Sequence, residues 1–330
     1  MPIVVVLPAF ACQAAMRLVS APESPQATPS PILLQDDAVP SCPNETGLIL
    51  REANTETPII SHFPSVDTNN NLYLPLVTYK INGDILSAPS FEEVPRNLLK
   101  YQQDLSIQNS AWQLFTELIP KQQRSMLTEF EIMTDGPGGV LSAVEQTQDD
   151  PHSWILETDI ADIPDTKNLV FTLLHEFGHL LTLGPSQVPP DDQLFQHPYS
   201  TRLRDQAIAA CSNYFPGEGC SLPTSYVNVF YGRFWKNLYD EWHAIDRIDD
   251  DNRREAELRS FYRKYRDQFV DSYAVTSPVE DIAESWAYYV LSPRPKGTSA
   301  GNQKLAFFSG YPELITLRAQ ILSNLCRLNP

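Results

Sequence analysis

The sequence predicts an α+β fold in two lobes, with a small mixed sheet in the first lobe and a mainly helical second lobe. Segments rich in β-branched and aromatic residues precede residue 160. A long apolar segment with helical limits follows at residues 168–184, and most later segments have apolar residues at helical spacing. A chain of 330 residues with 42% hydrophobic residues can bury a full core. We therefore expect one domain over residues 71–330.

The sheet is predicted from five segments: LYLPLVTYK, DILSA, FEIMTD, GVLSAVE and SWILETD. The first two flank Asn82-Gly83, which is typical of a hairpin with a tight turn. Residues 91–124 carry leucine and aromatic residues at helical spacing. We assign Trp154–Thr158 provisionally to the edge of the sheet, where an extended peptide can pair with it. The alternative is an interior strand.

Residues Asn168–Gly184, NLVFTLLHEFGHLLTLG, form the central predicted helix. Asp165 or Thr166 offers an N-cap, and Gly184 followed by proline offers a stop. Nearly all of the remaining residues in this segment are large and apolar. At helical spacing the polar exceptions fall within a sector of about 120°: Thr172, His175, Glu176, His179 and Thr182. The pattern predicts a buried helix with a single polar stripe.

His175, Glu176 and His179 form an HExxH motif within this stripe. Histidines four residues apart lie one turn apart on one face, so both imidazoles can reach a single Zn²⁺ ion. Glu176 is placed to accept a proton from a metal-bound water. The alternative is a chance motif, which would usually lie on a solvated helix. Three ionisable groups on a buried helix favour a zinc site, because unpaired buried charge is unfavourable.

A catalytic zinc ion needs a third protein ligand and an open fourth position. A third histidine six residues after His179 is absent, because Pro185 occupies that position. The best source of a glutamate ligand is the predicted helix at 279–291, VEDIAESWAYYVL. Glu280 and Glu284 lie one turn apart on this helix. One carboxylate can bind the metal while the other orients a histidine ligand.

The segment SYAVTSPVEDIAES, together with HEFGH, resembles the zinc peptidases whose third ligand is glutamate, the gluzincins. It is similar in particular to bacterial zinc-binding metallopeptidases and to the protease domain of the anthrax-lethal-factor type. Tyr273, Glu280, Ala283 and Glu284 match their Y…E-x-x-A-E pattern. The resemblance covers residues 70–300 and implies a zincin-like fold with the metal in a cleft. It implies that Glu280 is the third zinc ligand, that Glu284 supports a histidine ligand, and that Tyr273 donates to the oxyanion.

The segment between the two motifs is longer than in thermolysin-like gluzincins, so the resemblance leaves the substrate class open. Residues 185–225 are polar and proline-rich, and form either a wall of the cleft or a passive surface excursion. The aromatic residues at 226–245 are predicted to lie in the core. Residues 249–269 are predicted to form a charged, solvated helix, and residues 312–327 to form a last helix that packs on the rest of the protein. The remaining histidines lack ligand spacing and are predicted to be structural or solvated: His62, His152, His197 and His243.

Residues 1–19 contain a short apolar run that resembles the end of an export signal, and the residues around Cys12 resemble a lipid-attachment site. The run is too short to span a bilayer as a helix. A disordered tail is the alternative. Residues 20–70 are rich in proline, serine and acidic residues, which predicts a tether or a prosegment.

The cysteines can form two disulfides, which is typical of an exported protein. Cys211 and Cys220 are close in sequence and would staple a small loop, and Cys42 would then pair with Cys326. Free thiols in a cytosolic protein are the alternative. The formal net charge of −17 argues against nucleic acid and anionic membrane surfaces as partners.

The sequence thus predicts a secreted or cell-envelope zinc metallopeptidase, monomeric, that acts on protein or peptide through His175, His179, Glu280, Glu176 and Tyr273. One alternative is a catalytically silent zincin-fold module that binds peptides or surfaces. The intact Glu176 argues against it, because a structural zinc ion has no use for a base beside it. A metal-assisted hydrolase of another substrate class is the third interpretation.

Overall fold

The computed structural model describes residues 42–52, 73–293 and 297–328, and these form an α+β structure. The predicted export signal with Cys12, and most of the predicted tether, lie outside the described residues. The strands are β1 (Leu74–Asn82), β2 (Ile85–Leu86), β3 (Ser90–Phe91), β4 (Leu127–Thr134), β5 (Ser142–Gln146) and β6 (Trp154–Asp159). The helices up to and including the central helix are α1 (Pro43–Glu52), α2 (Leu99–Gln102), α3 (Leu105–Leu118) and α4 (Thr166–Leu183).

The remaining helices follow α4 without a further strand in the described part of the chain. They are α5 (Asp192–Gln196), α6 (Thr201–Ala210), α7 (Tyr226–Phe230), α8 (Tyr239–Asp246), α9 (Asp251–Lys264), α10 (Pro278–Leu291), α11 (Ala300–Phe308) and α12 (Pro312–Leu328). A π-helical turn, Tyr231–Trp235, continues α7. None of the described helices combines the length and apolar content that a membrane span requires.

The sheet is small and mixed, as predicted. Its order is β2-β1-β4-β6-β5, with β3 also paired to β1; β4 and β6 are parallel and the other pairs antiparallel. The predicted hairpin turns at Gly83 and Asp84, one residue later than expected, because Gly83 adopts the positive φ of +68°. The assignment of Trp154–Thr158 to the sheet edge is wrong. β6 lies between β4 and β5, and all its residues are buried.

Strand β5 is therefore an edge strand among the described residues. The Leu141 carbonyl accepts from Asp159 N at 2.9 Å, and Thr147 N donates to Ser153 O at 2.8 Å. In an antiparallel pair the inward and outward backbone groups alternate. The N–H and C=O groups of Ser142, Val144 and Gln146 therefore point to the outer edge of β5. An extended peptide would add to β5 and not to β6.

Helices α4 and α10 pack closely together in the centre of the molecule. Asp165 caps α4 by accepting from Asn168 N at 3.2 Å, which confirms the predicted N-cap. Gly178 faces α10, and a Cβ atom at this position would lie 2.9 Å from Ala283 Cα. The absence of a side chain at Gly178 thus allows the α10 backbone to approach the HExxH motif.

Both predicted disulfides are present. Cys211 pairs with Cys220, and Cys42 pairs with Cys326, with Cα–Cα distances of 5.4 and 5.6 Å. The second bond joins the start of α1 to α12. Helix α1 lies inside the segment predicted as a tether, but it packs against α4 and α10 and buries Ile49. Residues 43–52 are thus part of the fold.

The aromatic segment at 226–245 contributes to the core, as predicted. Phe230, Trp235 and Trp242 are buried there. Helix α9 is charged and turns Phe261 inward, again as predicted. Aromatic side chains therefore form much of the core in the helical part of the chain that follows α4.

A row of carboxylates crosses three adjacent strands. Glu131 on β4 pairs with Glu157 on β6. On β5, Glu157 pairs with Ala143. Glu145 is two residues after Ala143 and therefore lies on the same face of the sheet. Tyr73 Oη donates to Glu157 Oε1 at 2.6 Å. Burial raises the pKa of Glu131 to about 7 and raises the pKa values of Glu145 and, most strongly, Glu157. The folded protein therefore holds protons on this row near neutral pH.

We expect this row to make stability fall as pH rises from about 5 to about 8. The folded protein keeps protons at pH values where the unfolded chain, with carboxyl pKa values near 4.5, has released them. Glu157→Gln should raise the free energy of unfolding by roughly 1–3 kcal/mol at pH 8, with a smaller gain at pH 5. Urea unfolding with a chelator present measures this difference.

The matched control is Glu129→Gln on β4. Glu129 forms an ion pair with Lys80 at 2.6 Å, so this variant should show no such gain. A Glu157→Gln protein less stable than the wild type at pH 8 would contradict the prediction.

Candidate metal centre

Three side-chain donors meet between α4 and α10. His175 Nε2 lies 3.0 Å from His179 Nε2 and 3.0 Å from Glu280 Oε2, and His179 Nε2 lies 3.4 Å from the same oxygen. Both histidines are buried, and Glu280 is partly buried. His175 and His179 come from consecutive turns of α4, whereas Glu280 lies in the first turn of α10. The structure thus brings together the three predicted ligands.

These distances fit a single metal ion. Two ligands about 2.1 Å from zinc at a tetrahedral angle are about 3.4 Å apart. The three observed separations lie at or slightly below this value. Two imidazoles and one carboxylate are also a donor set that binds divalent metals with an open position. His175, His179 and Glu280 can therefore hold a metal ion.

His175 is supported on its other ring nitrogen. Its Nδ1 lies 2.5 Å from Glu284 Oε2, and both side chains are buried. A carboxylate at Nδ1 fixes the tautomer that leaves Nε2 free to bind a metal. Burial lowers the pKa of His175, but the hydrogen bonds of Glu280 and Glu284 outweigh it and raise the pKa well above its usual range. Glu284 thus occupies the supporting position that the resemblance implied.

Asp271 extends this support and is absent from the sequence prediction. Its side chain hydrogen-bonds Glu284, and its Oδ1 accepts from Tyr273 N and Ala274 N at 3.0 Å each. Burial raises the pKa of Asp271 to about 8, and the charge of Glu284 adds to this. A protonated Asp271 can donate to Glu284, which completes a chain from Asp271 through Glu284 to His175. No residue pattern around Asp271 indicated this role, because it lies in a loop before α10.

Glu280 is held as a carboxylate. Burial acts to raise its pKa, but the charge of His179 and the hydrogen bonds of His175 and His179 outweigh burial and hold the pKa well below its usual range. A charged carboxylate is the form that binds metal ions. Ser277 Oγ accepts from Glu280 N at 3.1 Å and so fixes the start of α10.

Glu176 lies beside the three donors and is buried. Burial raises the pKa of its carboxyl to about 7, against the opposing effect of the two histidines. The Val144 N–H of the edge strand donates to this carboxylate. Glu176 is therefore anchored between the donors and β5, with a pKa suited to proton transfer near neutral pH.

Tyr273 faces the same site. Its ring centroid lies 5.7 Å from that of His175, and its hydroxyl hydrogen-bonds Glu280. The charge of Glu280, followed by burial of the hydroxyl, raises the pKa of Tyr273 far above its usual range. The hydroxyl thus stays protonated and can donate a hydrogen bond. Tyr273 as a whole is 54% exposed, so it borders the open side of the site.

The other histidines do not join the cluster in the described part of the chain. His152 and His197 are exposed, and His243 stacks on Tyr239 with ring centroids 5.5 Å apart. His62 lies outside the described residues.

Comparisons with protein-family models, curated proteins and solved structures give no match to this chain. The chemistry of the candidate metal centre therefore follows from the residues that form it.

Proposed function

We propose that this chain is a zinc-dependent peptidase with a zincin-like fold. One observation carries the proposal: a buried His–His–Glu donor set has a glutamate, Glu176, beside it and an edge strand next to that glutamate. A structural metal site needs neither a base nor access to a strand edge. The resemblance of the two motifs to gluzincins agrees with this proposal.

His175, His179 and Glu280 would hold the ion. When bound, zinc lowers the pKa of a coordinated water toward neutrality and polarises a substrate carbonyl. Glu176 accepts a proton from the attacking water and later delivers it to the leaving amine. Tyr273 donates a hydrogen bond to the developing oxyanion. Zinc is preferred to other divalent ions because two imidazoles and one carboxylate match its catalytic sites.

The substrate would lie along the edge of β5. The outward N–H and C=O groups of Ser142 and Gln146 lie there on either side of Val144, whose N–H donates to Glu176. Main-chain pairing recognises an extended peptide without regard to its side chains. This favours a protein or peptide over another hydrolysable substrate.

The metal proposal is tested by measuring metal content on the full chain. Wild type purified with zinc should hold about one ion per chain, and Glu280→Ala should lose most of it, because two imidazoles alone bind zinc weakly. The full chain is needed because Cys42 is bonded to Cys326. Unchanged zinc content in Glu280→Ala would mean that the third ligand is another residue. A wild-type protein that takes up no zinc would refute the proposal.

Tyr273→Phe should lower kcat about 100- to 1000-fold at unchanged zinc content, because one oxyanion donor is lost. Hydrolysis of a mixed peptide library, followed by mass spectrometry, measures the rate. Tyr199→Phe is the matched control, since Tyr199 is likewise exposed. An undiminished rate in Tyr273→Phe would leave Tyr273 with a packing role only.

The proposed setting is the cell envelope or the exterior, with the chain acting as a monomer. The two disulfides agree with an oxidising compartment. The second candidate function is a catalytically silent module that binds peptides at the same strand edge. It predicts peptide binding without hydrolysis in zinc-loaded wild type, so the peptide-library assay separates the two functions.

A further inference from the structure

The two histidine ligands are supported unequally. His175 Nδ1 has Glu284 at 2.5 Å, whereas His179 Nδ1 is buried without a hydrogen-bond partner among the described residues. A histidine that binds metal through one ring nitrogen almost always donates from the other one. The ring orientation of His179 therefore lacks the hydrogen bond that fixes His175.

A second side chain, in the insertion, also has a buried polar atom without a partner. Glu218 Oε2 is buried and has no hydrogen-bond partner in the described parts of the chain. Burial raises the pKa of Glu218, and the positive charge of His179 acts against it, so the two side chains are electrostatic neighbours. The Nδ1–H group of His179 needs a hydrogen-bond acceptor, and Oε2 of Glu218 needs a donor. Unpaired buried polar groups of this kind are rare in native proteins.

Glu218 is held in place by the backbone around it. Its carbonyl accepts from Asp191 N at 2.8 Å. A Cβ atom on Gly219 would lie 2.1 Å from Pro189 O, so the loop packs directly on the segment that follows α4. The Cys211–Cys220 disulfide closes the loop covalently. The long insertion between the two motifs thereby holds Glu218 in a fixed position beside the segment that follows α4.

We propose that Glu218 is the positioning residue of His179. Its carboxylate accepts the hydrogen bond of His179 Nδ1–H through one bridging water, and so fixes the tautomer in which Nε2 faces the metal. The inference rests on the proposed metal centre and adds a role for the insertion. The disulfide-closed loop then becomes a structural part of the metal site.

The test measures zinc affinity by competition with a chromophoric chelator. Glu218→Ala should weaken zinc binding 10- to 100-fold, the usual effect of losing such a partner. Glu218→Gln keeps an acceptor oxygen and should recover part of this loss. The matched control is Asp192→Asn, which removes an exposed negative charge from the same insertion and should leave affinity unchanged. Thermal unfolding of the metal-free proteins shows whether each variant is folded.

A second readout reports the tautomer itself. Long-range ¹⁵N–¹H spectra of the zinc-loaded protein should show His179 Nδ1 protonated and protected from solvent exchange in wild type. Glu218→Ala should lose that protection, while His175 keeps it through Glu284. Zinc affinity of Glu218→Ala within twofold of wild type, or unchanged Nδ1 protection, would overturn the inference. Wild type that binds no zinc would instead refute the proposed metal centre.

The disulfide is tested by a double-mutant cycle. Cys211→Ser/Cys220→Ser should weaken zinc binding, and combining it with Glu218→Ala should weaken it little further, because both changes remove the same hydrogen bond. Fully additive losses would show that the loop does not act through Glu218 and would overturn this part of the inference.

Discussion

Glu176→Gln is expected to lower kcat/KM for peptide hydrolysis by about 10²- to 10⁴-fold while zinc stays bound. The substitution keeps the size of the side chain and its acceptor for Val144 N–H, but the amide cannot take up a proton. Zinc content should not change, because Glu176 is not one of the three donors. Rates are measured with the peptide library on protein whose metal content has been determined.

The control for this experiment is Glu117→Gln, an exposed carboxylate on α3. It should keep the wild-type rate and zinc content. A Glu176→Gln enzyme with the wild-type rate would remove Glu176 from the chemistry. A variant that lost zinc together with its activity would show instead that the residue shapes the metal site.

The second large effect concerns a buried ion pair next to the metal centre. Lys304 Nζ lies 2.5 Å from Asp281 Oδ2, and both side chains are fully buried. Trp235 Nε1 donates to the same oxygen at 2.6 Å, and the Phe269 ring centroid lies 4.2 Å from Nζ. Asp281 follows the proposed ligand Glu280 directly, so this pair fixes the rotation of α10 about its own axis.

Lys304→Met should lower the free energy of unfolding by about 3–5 kcal/mol at pH 8, because it leaves a buried carboxylate without its countercharge. The loss should be smaller at pH 5. Burial raises the pKa of Asp281 to about 6 even beside Lys304, so the lone carboxyl is protonated more readily in acid. The double variant Asp281→Asn/Lys304→Met should recover part of the loss. Urea unfolding of the metal-free proteins measures each value.

Lys236→Met is the control for this prediction, since Lys236 is an exposed lysine that follows Trp235 directly. It should change stability by less than about 0.5 kcal/mol. An equal effect of the two lysine variants would mean that the buried pair contributes nothing specific to the fold.

The central helix and its site were largely predictable from sequence. Asp165, the apolar run and Gly184 set the limits of α4, and its polar stripe indicated a site on one face of the helix. The residues alone left the roles of Glu280 and Glu284 open. The packing of α10 on α4 distinguishes their positions, since it brings Glu280 to both Nε2 atoms and Glu284 to Nδ1 of His175.

Other features depend on contacts between distant segments and leave no local signal. The position of β6 inside the sheet follows from a parallel pairing with β4 that no local pattern specifies. Its three consecutive polar residues, from Glu157 to Asp159, do not resemble an interior strand. Lys304 was missed for a similar reason, because lysine is almost never fully buried unless paired. Asp271 and Glu218 lie in loops whose neighbours only the fold determines.

The bond between Cys42 and Cys326 makes nearly the whole described chain a covalent ring, closed by two cysteines that are 284 positions apart in sequence. A single cut in the backbone within this ring opens it without releasing a fragment. Self-cleavage would therefore be invisible by electrophoresis until a reductant is added. A preparation that runs as one band without reductant and as two bands with it would contain nicked molecules whose halves are still joined.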